Sequence, residues 1–156
     1  MKLVAESAAS VTYLVYEGAA ARDQHPLTDL LARPNPRQQG AAFLEAVCAY
    51  LLLAGNAYVE AVMLEGQGKS EVRELYALRP DRMRVVPGPD GWPEAYEYAI
   101  AGRTLRFEQN VPGPGSAVPP ILHLSQFHPL DDHYGLSSLE AAAVAVDTHN
   151  SAAKCN

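Results

Sequence analysis

The chain has 156 residues and a mass of 16.8 kDa, the size of one compact domain and too short for a multidomain machine. Its residues are 48% hydrophobic and 19% charged, a balance that supplies a core and excludes disorder by composition. A formal net charge of −6 and a pI near 5.3 lack the positive field on which tight, sequence-independent nucleic-acid binding depends.

Two further classes drop out on pattern. Glu6 interrupts the first apolar stretch, so no signal peptide is readable. The longest apolar run, Val47 to Ala54, falls far short of the roughly 18–20 residues that cross a bilayer. The expectation is a soluble chain without a membrane partner. Cys48 and Cys155 have neither metal spacing nor a disulfide framework and are expected to be reduced thiols.

In chain order, Lys2 to Ala9 reads as a helix without a recognisable cap, as though cut at its front. Val11 to Tyr16 is β-branched and aromatic, hence a strand, and Gly18 to His25 reads as a turn. A short helix follows Pro26, with Leu27, Leu30 and Leu31 on one face, and Pro34-Asn35-Pro36 ends it at Arg33. From Gly40 to Ala54 apolar residues surround the whole helix and Glu45 is its only charge, which predicts burial on nearly all sides. Gly55-Asn56 tolerates a left-handed cap, after which Ala57 to Leu64 alternates with the period of a strand.

Past the turn Gly66-Gln67-Gly68, four extended pieces are expected: Val72 to Leu78, Arg82 to Val86, Ala95 to Ile100 and Thr104 to Phe107. Their close spacing favours an antiparallel meander, with Met83 and Val85 inward and Arg82 and Arg84 outward. Half of the residues from Gln109 to Pro120 are proline or glycine, making this loop the best candidate for disorder. Ser137-Ser138-Leu139-Glu140 forms a capping box that launches a last helix. Its apolar stripe is Leu139, Ala142, Ala143 and Val146, its polar face Glu140, Asp147, Ser151 and Lys154, and its missing stop signal reads as a cut at the back. The fold class is α+β: a buried apolar helix and short helices on a mostly antiparallel sheet, ending in an alanine-rich helix, with residues 1–156 as a single domain.

The residues that could carry chemistry are few. His123, His128, Asp131, Asp132 and His133 have the composition of a metal site, which would make the chain a metal-dependent hydrolase. They lack a helical H-E-x-x-H spacing, and Pro129 prevents His128 and His133 from sharing a helix face. Ser125, Ser137 and Ser138 lie near histidines but in no nucleophile elbow, and the glycines form no phosphate-binding loop. Lys69 and the arginines from Arg73 to Arg106 read as solvated strand faces, and Tyr76, Tyr96 and Tyr98 as cross-strand packing rather than base-stacking platforms. These residues alone give a domain that is not an enzyme, needs no cofactor, and could equally be a small protein-binding adaptor.

Longer stretches say more. His25-Pro26-Leu27, Leu30-Leu31, Arg33-Pro34-Asn35-Pro36, Phe43-Leu44 and Leu52-Leu53-Ala54-Gly55-Asn56-Ala57-Tyr58 resemble the HK97-type phage portal proteins. The same family is matched, in the same order, by Glu74-Leu75-Tyr76-Ala77-Leu78-Arg79-Pro80-Asp81-Arg82, Ile121-Leu122-His123-Leu124 and Tyr134-Gly135-Leu136-Ser137. Ser138 stands where the family commonly has proline, and Cys155 where a larger apolar or aromatic residue is expected.

The resemblance implies a fragment of the head-tail connector of a tailed phage or prophage, without parts of the stem, clip and crown. It implies a ring of about twelve copies with closing, heterologous contacts, to which the alanine-rich helix and the Arg82–Arg84 strand face are candidate contributors. The implied partners are terminase, head-completion proteins, capsid protein and double-stranded DNA passing without sequence specificity. The implied location is the virion portal vertex, and the bacterial host cytoplasm during assembly. No catalytic, cofactor-binding or metal residue is implied.

Overall fold

The computed structural model describes residues 2–22, 24–66, 69–109, 118–143 and 146–147. The elements run α1 (Lys2–Ala9), β1 (Val15–Glu17), β2 (Ala20–Arg22), α2 (Pro26–Ala32), α3 (Gly40–Ala54), β3 (Asn56–Gly66), β4 (Lys69–Leu78), β5 (Met83–Pro87), β6 (Pro93–Ile100), β7 (Arg103–Glu108) and β8 (Ile121–Ser125). A helix at 138–143 follows and is called α4, and residues 146–147 are helical as well. The class is α+β, as expected.

Two three-stranded antiparallel sheets carry the fold, in the orders β4-β3-β8 and β5-β6-β7. Because side chains alternate along a strand, β3 serves two cores. Ala57 and Val59 face α3, where they bury Phe43 and Val47. Tyr58 faces the second sheet and packs with Met83, Val85, Tyr96, Tyr98 and Ile121. The order of layers is therefore helix, sheet, sheet. Gly55 ends α3 in the left-handed conformation (φ 70°), its amide bonded to Leu51 O, and the chain reverses directly into β3.

Several expectations are corrected. Between Val11 and Tyr16 the strand begins only at Val15, and the expected turn from Gly18 to His25 contains β2, paired back on β1. Gly18 takes φ 63°, which permits a tight reversal. Helix α2 forms with His25 as its cap, but none of its residues is buried, so the leucine face at Leu27, Leu30 and Leu31 stays partly open. Helix α3 has the expected bounds but buries only Gly40, Phe43 and Val47. One face meets the sheet and α1 lies against another part, leaving Leu53 49% exposed.

The expected meander holds for β5-β6-β7 alone. Strand β4 belongs to the other sheet, and a 3₁₀ turn at Pro80–Arg82 carries the chain between the two. Strand β8 was not expected, since its partner β3 lies more than sixty positions earlier in the chain. The turn at Gln67-Gly68 and the proline- and glycine-rich stretch at 110–117 fall outside the described residues, as does Cys155. Among the described residues, no helix is long and apolar enough to cross a membrane.

Candidate functional site

Several of the residues singled out by sequence make structural bonds. Arg84 binds Glu97 at 2.6 Å, and Arg106 reaches Glu94, Glu97 and Glu108; hydrogen bonding to Arg84 leads in holding the Glu97 carboxyl below the usual range, with Arg106 adding to it. Tyr96 and Tyr98 are buried in the core, so neither offers a face to a base. The Tyr76 hydroxyl donates to Glu74.

His123 is half-buried in β8, whereas His128, Asp131, Asp132 and His133 lie in the following loop, 126–134, here called the strap. His128 Nδ1 accepts from the Leu130 amide, and Asp131 Oδ1 accepts from the amides of His133 and Tyr134. Those amide bonds lower the Asp131 carboxyl below its ordinary value. Among the described residues, no three histidine, cysteine or acidic side chains converge as metal ligands would. Ser137 caps α4, accepting from the amides of Leu139 and Glu140, and Ser138 donates to Gln126 Oε1.

What the fold does bring together is a joint. Asn56, 6% exposed, donates through Nδ2 to Ala54 O (2.8 Å) and Gly135 O (3.3 Å). Its Oδ1 accepts from the Gly135 amide (2.8 Å) and faces His123 Nε2 (2.9 Å). Because Oδ1 can only accept, His123 carries its proton on Nε2, and Nδ1 is left to accept from the Tyr96 hydroxyl at 3.3 Å. The Gln126 amide bonds Gly55 O, and the Val85 amide donates to the Tyr134 hydroxyl. Both sheets, the end of α3 and the lead into α4 therefore meet within one polar network.

The His123 ring stacks on Tyr58 (centroids 4.3 Å, 19°) and meets Tyr96 edge-on. Burial, with His133 contributing, holds its pKa down to about 4 against the usual 6.5. The unfolded chain therefore takes up this proton first as pH falls. Stability from this site is intact above about pH 6.5 and is lost on the way to about pH 4, by ~1–2 kcal/mol once solvent screening of a half-buried ring is included. Thermal melts of wild type and His123→Gln are expected to diverge across that window, wild type losing more; parallel profiles would exclude this role.

Tyr58, 1% exposed, buries a hydroxyl that has no hydrogen-bond partner among the described residues, and desolvation pushes the phenol up, with Tyr134 and Tyr96 adding to it. Tyr58→Phe removes an unsatisfied group and keeps the ring, so it is expected to be neutral or to stabilise by ~1 kcal/mol in a denaturant titration. A loss above that would mean that the hydroxyl is bonded in solution.

Sequence reasoning read Gly55-Asn56 as a helix end and Tyr134 to Ser137 as a helix start. It missed that the two are one site. The motifs themselves were visible, but their pairing across 79 positions was not.

This arrangement is a structural framework of joints. The family described as "Phage portal protein" matches residues 1–156. The chain is 32% identical to an uncharacterized protein of Rickettsia bellii (strain RML369-C), over 100% of this chain and 39% of that protein. It is also 32% identical to one of Rickettsia felis (strain ATCC VR-1525 / URRWXCal2), over 96% of this chain and 37% of that protein.

Among solved structures, it resembles a chain in the neck of an empty GTA particle computed with C6 symmetry (TM-score 0.78, 45% identity). It also resembles one in the neck of a native GTA particle computed with C12 symmetry (TM-score 0.73, 47% identity). Each match covers 98% of this chain and 38% of the other. The chain belongs to the phage portal protein family, and it spans about two fifths of the length of these relatives.

Proposed function

We propose that these residues form one folding unit of a portal ring subunit, the channel through which DNA enters and leaves a phage or phage-like particle at one vertex of its head. The observation that carries this is the match of 98% of the chain to neck chains in particles computed with sixfold and twelvefold symmetry. The joint supports it, since bonded Asn56, His123 and Tyr134 hold the layers together. The subunit acts without catalysis or cofactor.

Its net charge of −6 suits a lumen through which DNA slides, because many phosphate contacts would produce tight, salt-dependent grip. In this reading about twelve copies close a ring by heterologous contacts. Terminase, head-completion proteins and capsid protein dock on that ring, which is assembled in the host cytoplasm and carried in the virion. Sedimentation and electron microscopy of the full-length protein test it: closed rings are expected, and a chain that stays monomeric at high concentration would overturn it.

A further inference from the structure

The sheet β4-β3-β8 has two unlike edges. Beside β4, a groove of ≈ 860 Å³ runs between α2 and the strand, with Leu27, Leu30 and Val72 supplying apolar walls. An adjoining hollow shares Arg33 and Arg73 with it and adds Arg37. Asp29, Glu71 and Glu74 also line these hollows. Arg73 is engaged by Glu71 at 3.0 Å, and Glu74 accepts from Tyr76. Arg33 and Arg37 form no ion pair among the described residues, so, although Asp29, Glu71 and Glu74 balance the three arginines formally, two guanidinium groups beside the apolar walls remain open to a carboxylate.

The strap leaves the end of β8, the other edge strand, and is tied back to Gly55 and Asn56 at both of its ends; it holds Phe127 at 85% and Leu130 at 91% exposure. The bonds from Leu130 to His128, and from His133 and Tyr134 to Asp131, fix the shape of this loop, so little ordering is left to be done on binding. Exposed Asp131 and Asp132 directly follow Leu130 in the strap. A preorganised aromatic and aliphatic pair is the kind of anchor around which interfaces concentrate their energy.

We propose that Phe127 and Leu130 of one copy dock in the α2–β4 groove of the next, with Asp132 and Asp131 against Arg37 and Arg33. This rests on the ring reading above. Knob and groove belong to different surfaces, one following edge strand β8 and the other beside edge strand β4, and differ in kind, which is the relation a head-to-tail, closing contact needs and a two-fold contact does not. The Arg82–Arg84 face is a poorer candidate, because Arg84 is already paired with Glu97.

The test uses the full-length protein with the photo-crosslinking residue benzoylphenylalanine in place of Phe127. Irradiated rings are expected to give a ladder of cross-linked subunits, joined to peptides from residues 26–38 or 69–78. Rings whose cross-links map elsewhere, or to a different protein, overturn the contact and leave the ring intact as a reading. Failure of the wild-type chain to form rings overturns both.

Charge exchange gives a second readout. Asp132→Arg and Arg37→Asp are each expected to raise the concentration for half-assembly about tenfold, and the two together to recover most of it. Singles without effect, or no recovery in the pair, count against the contact. Melting temperatures of these exposed-site variants are expected to stay within a few degrees of wild type, which separates assembly from folding.

Discussion

Gly135→Ala is expected to lower the melting temperature by about 10–15 °C, corresponding to ~4 kcal/mol in a chain of this size. A Cβ at Gly135 would run into the Gly55 carbonyl oxygen and into the backbone nitrogen and oxygen of Gln126. All three are main-chain atoms, and none can rotate away as a side chain would. The same two segments are tied by the bond from the Gln126 amide to Gly55 O and by Asn56 to Gly135, so relieving the clash breaks bonds on both sides.

Gly91 is the control. It has φ 84° and open space around its would-be Cβ, so alanine there carries only the left-handed penalty of ~1–2 kcal/mol. Gly135 is not among the positive-φ glycines, and its cost comes from contact alone. Melts of the two variants side by side decide the matter: equal losses would mean that the joint has room.

Much of this fold was legible because local chemistry marks it. Pro34 to Pro36 stops a helix, Gly55 caps one, and the alternation of Met83 and Val85 against Arg84 survives as buried against exposed. Less legible was anything set by partners far along the chain. Helix α3 looks apolar all round, yet its burial depends on how many layers reach it, and one sheet with α1 does not enclose it. Strand β8 hid in a segment whose histidines invited a ligand reading. His123 is instead a β-sheet residue packed on Tyr58, and only the register Tyr58↔His123 reveals it. The joint was half visible: the motifs around Asn56 and Gly135 stood out as family marks, but the reason for both is a single contact that neither shows alone.

Asn56→Ala is expected to cost ~3 kcal/mol, the second largest effect. The amide occupies four partners at once, and alanine leaves the Gly135 N–H and the His123 Nε2–H buried without an acceptor. Orphaned buried donors cost more than the bonds themselves contribute.

The loss has a local signature. The Gln126 amide bonds Gly55 O and not Asn56, so it reports whether the strap stays closed. In hydrogen exchange, Gln126 is expected to lose protection through local opening in Asn56→Ala, while β6 amides such as that of Tyr98 follow only global unfolding. Retained protection at Gln126 would assign closure of the strap to the Gly55–Gly135 contact alone. Combining Asn56→Ala with Gly135→Ala separates these contributions. Two independent supports would give additive losses, whereas one cooperative joint gives a double variant little worse than Gly135→Ala, because the alanine at 135 has already pushed apart the segments that Asn56 holds.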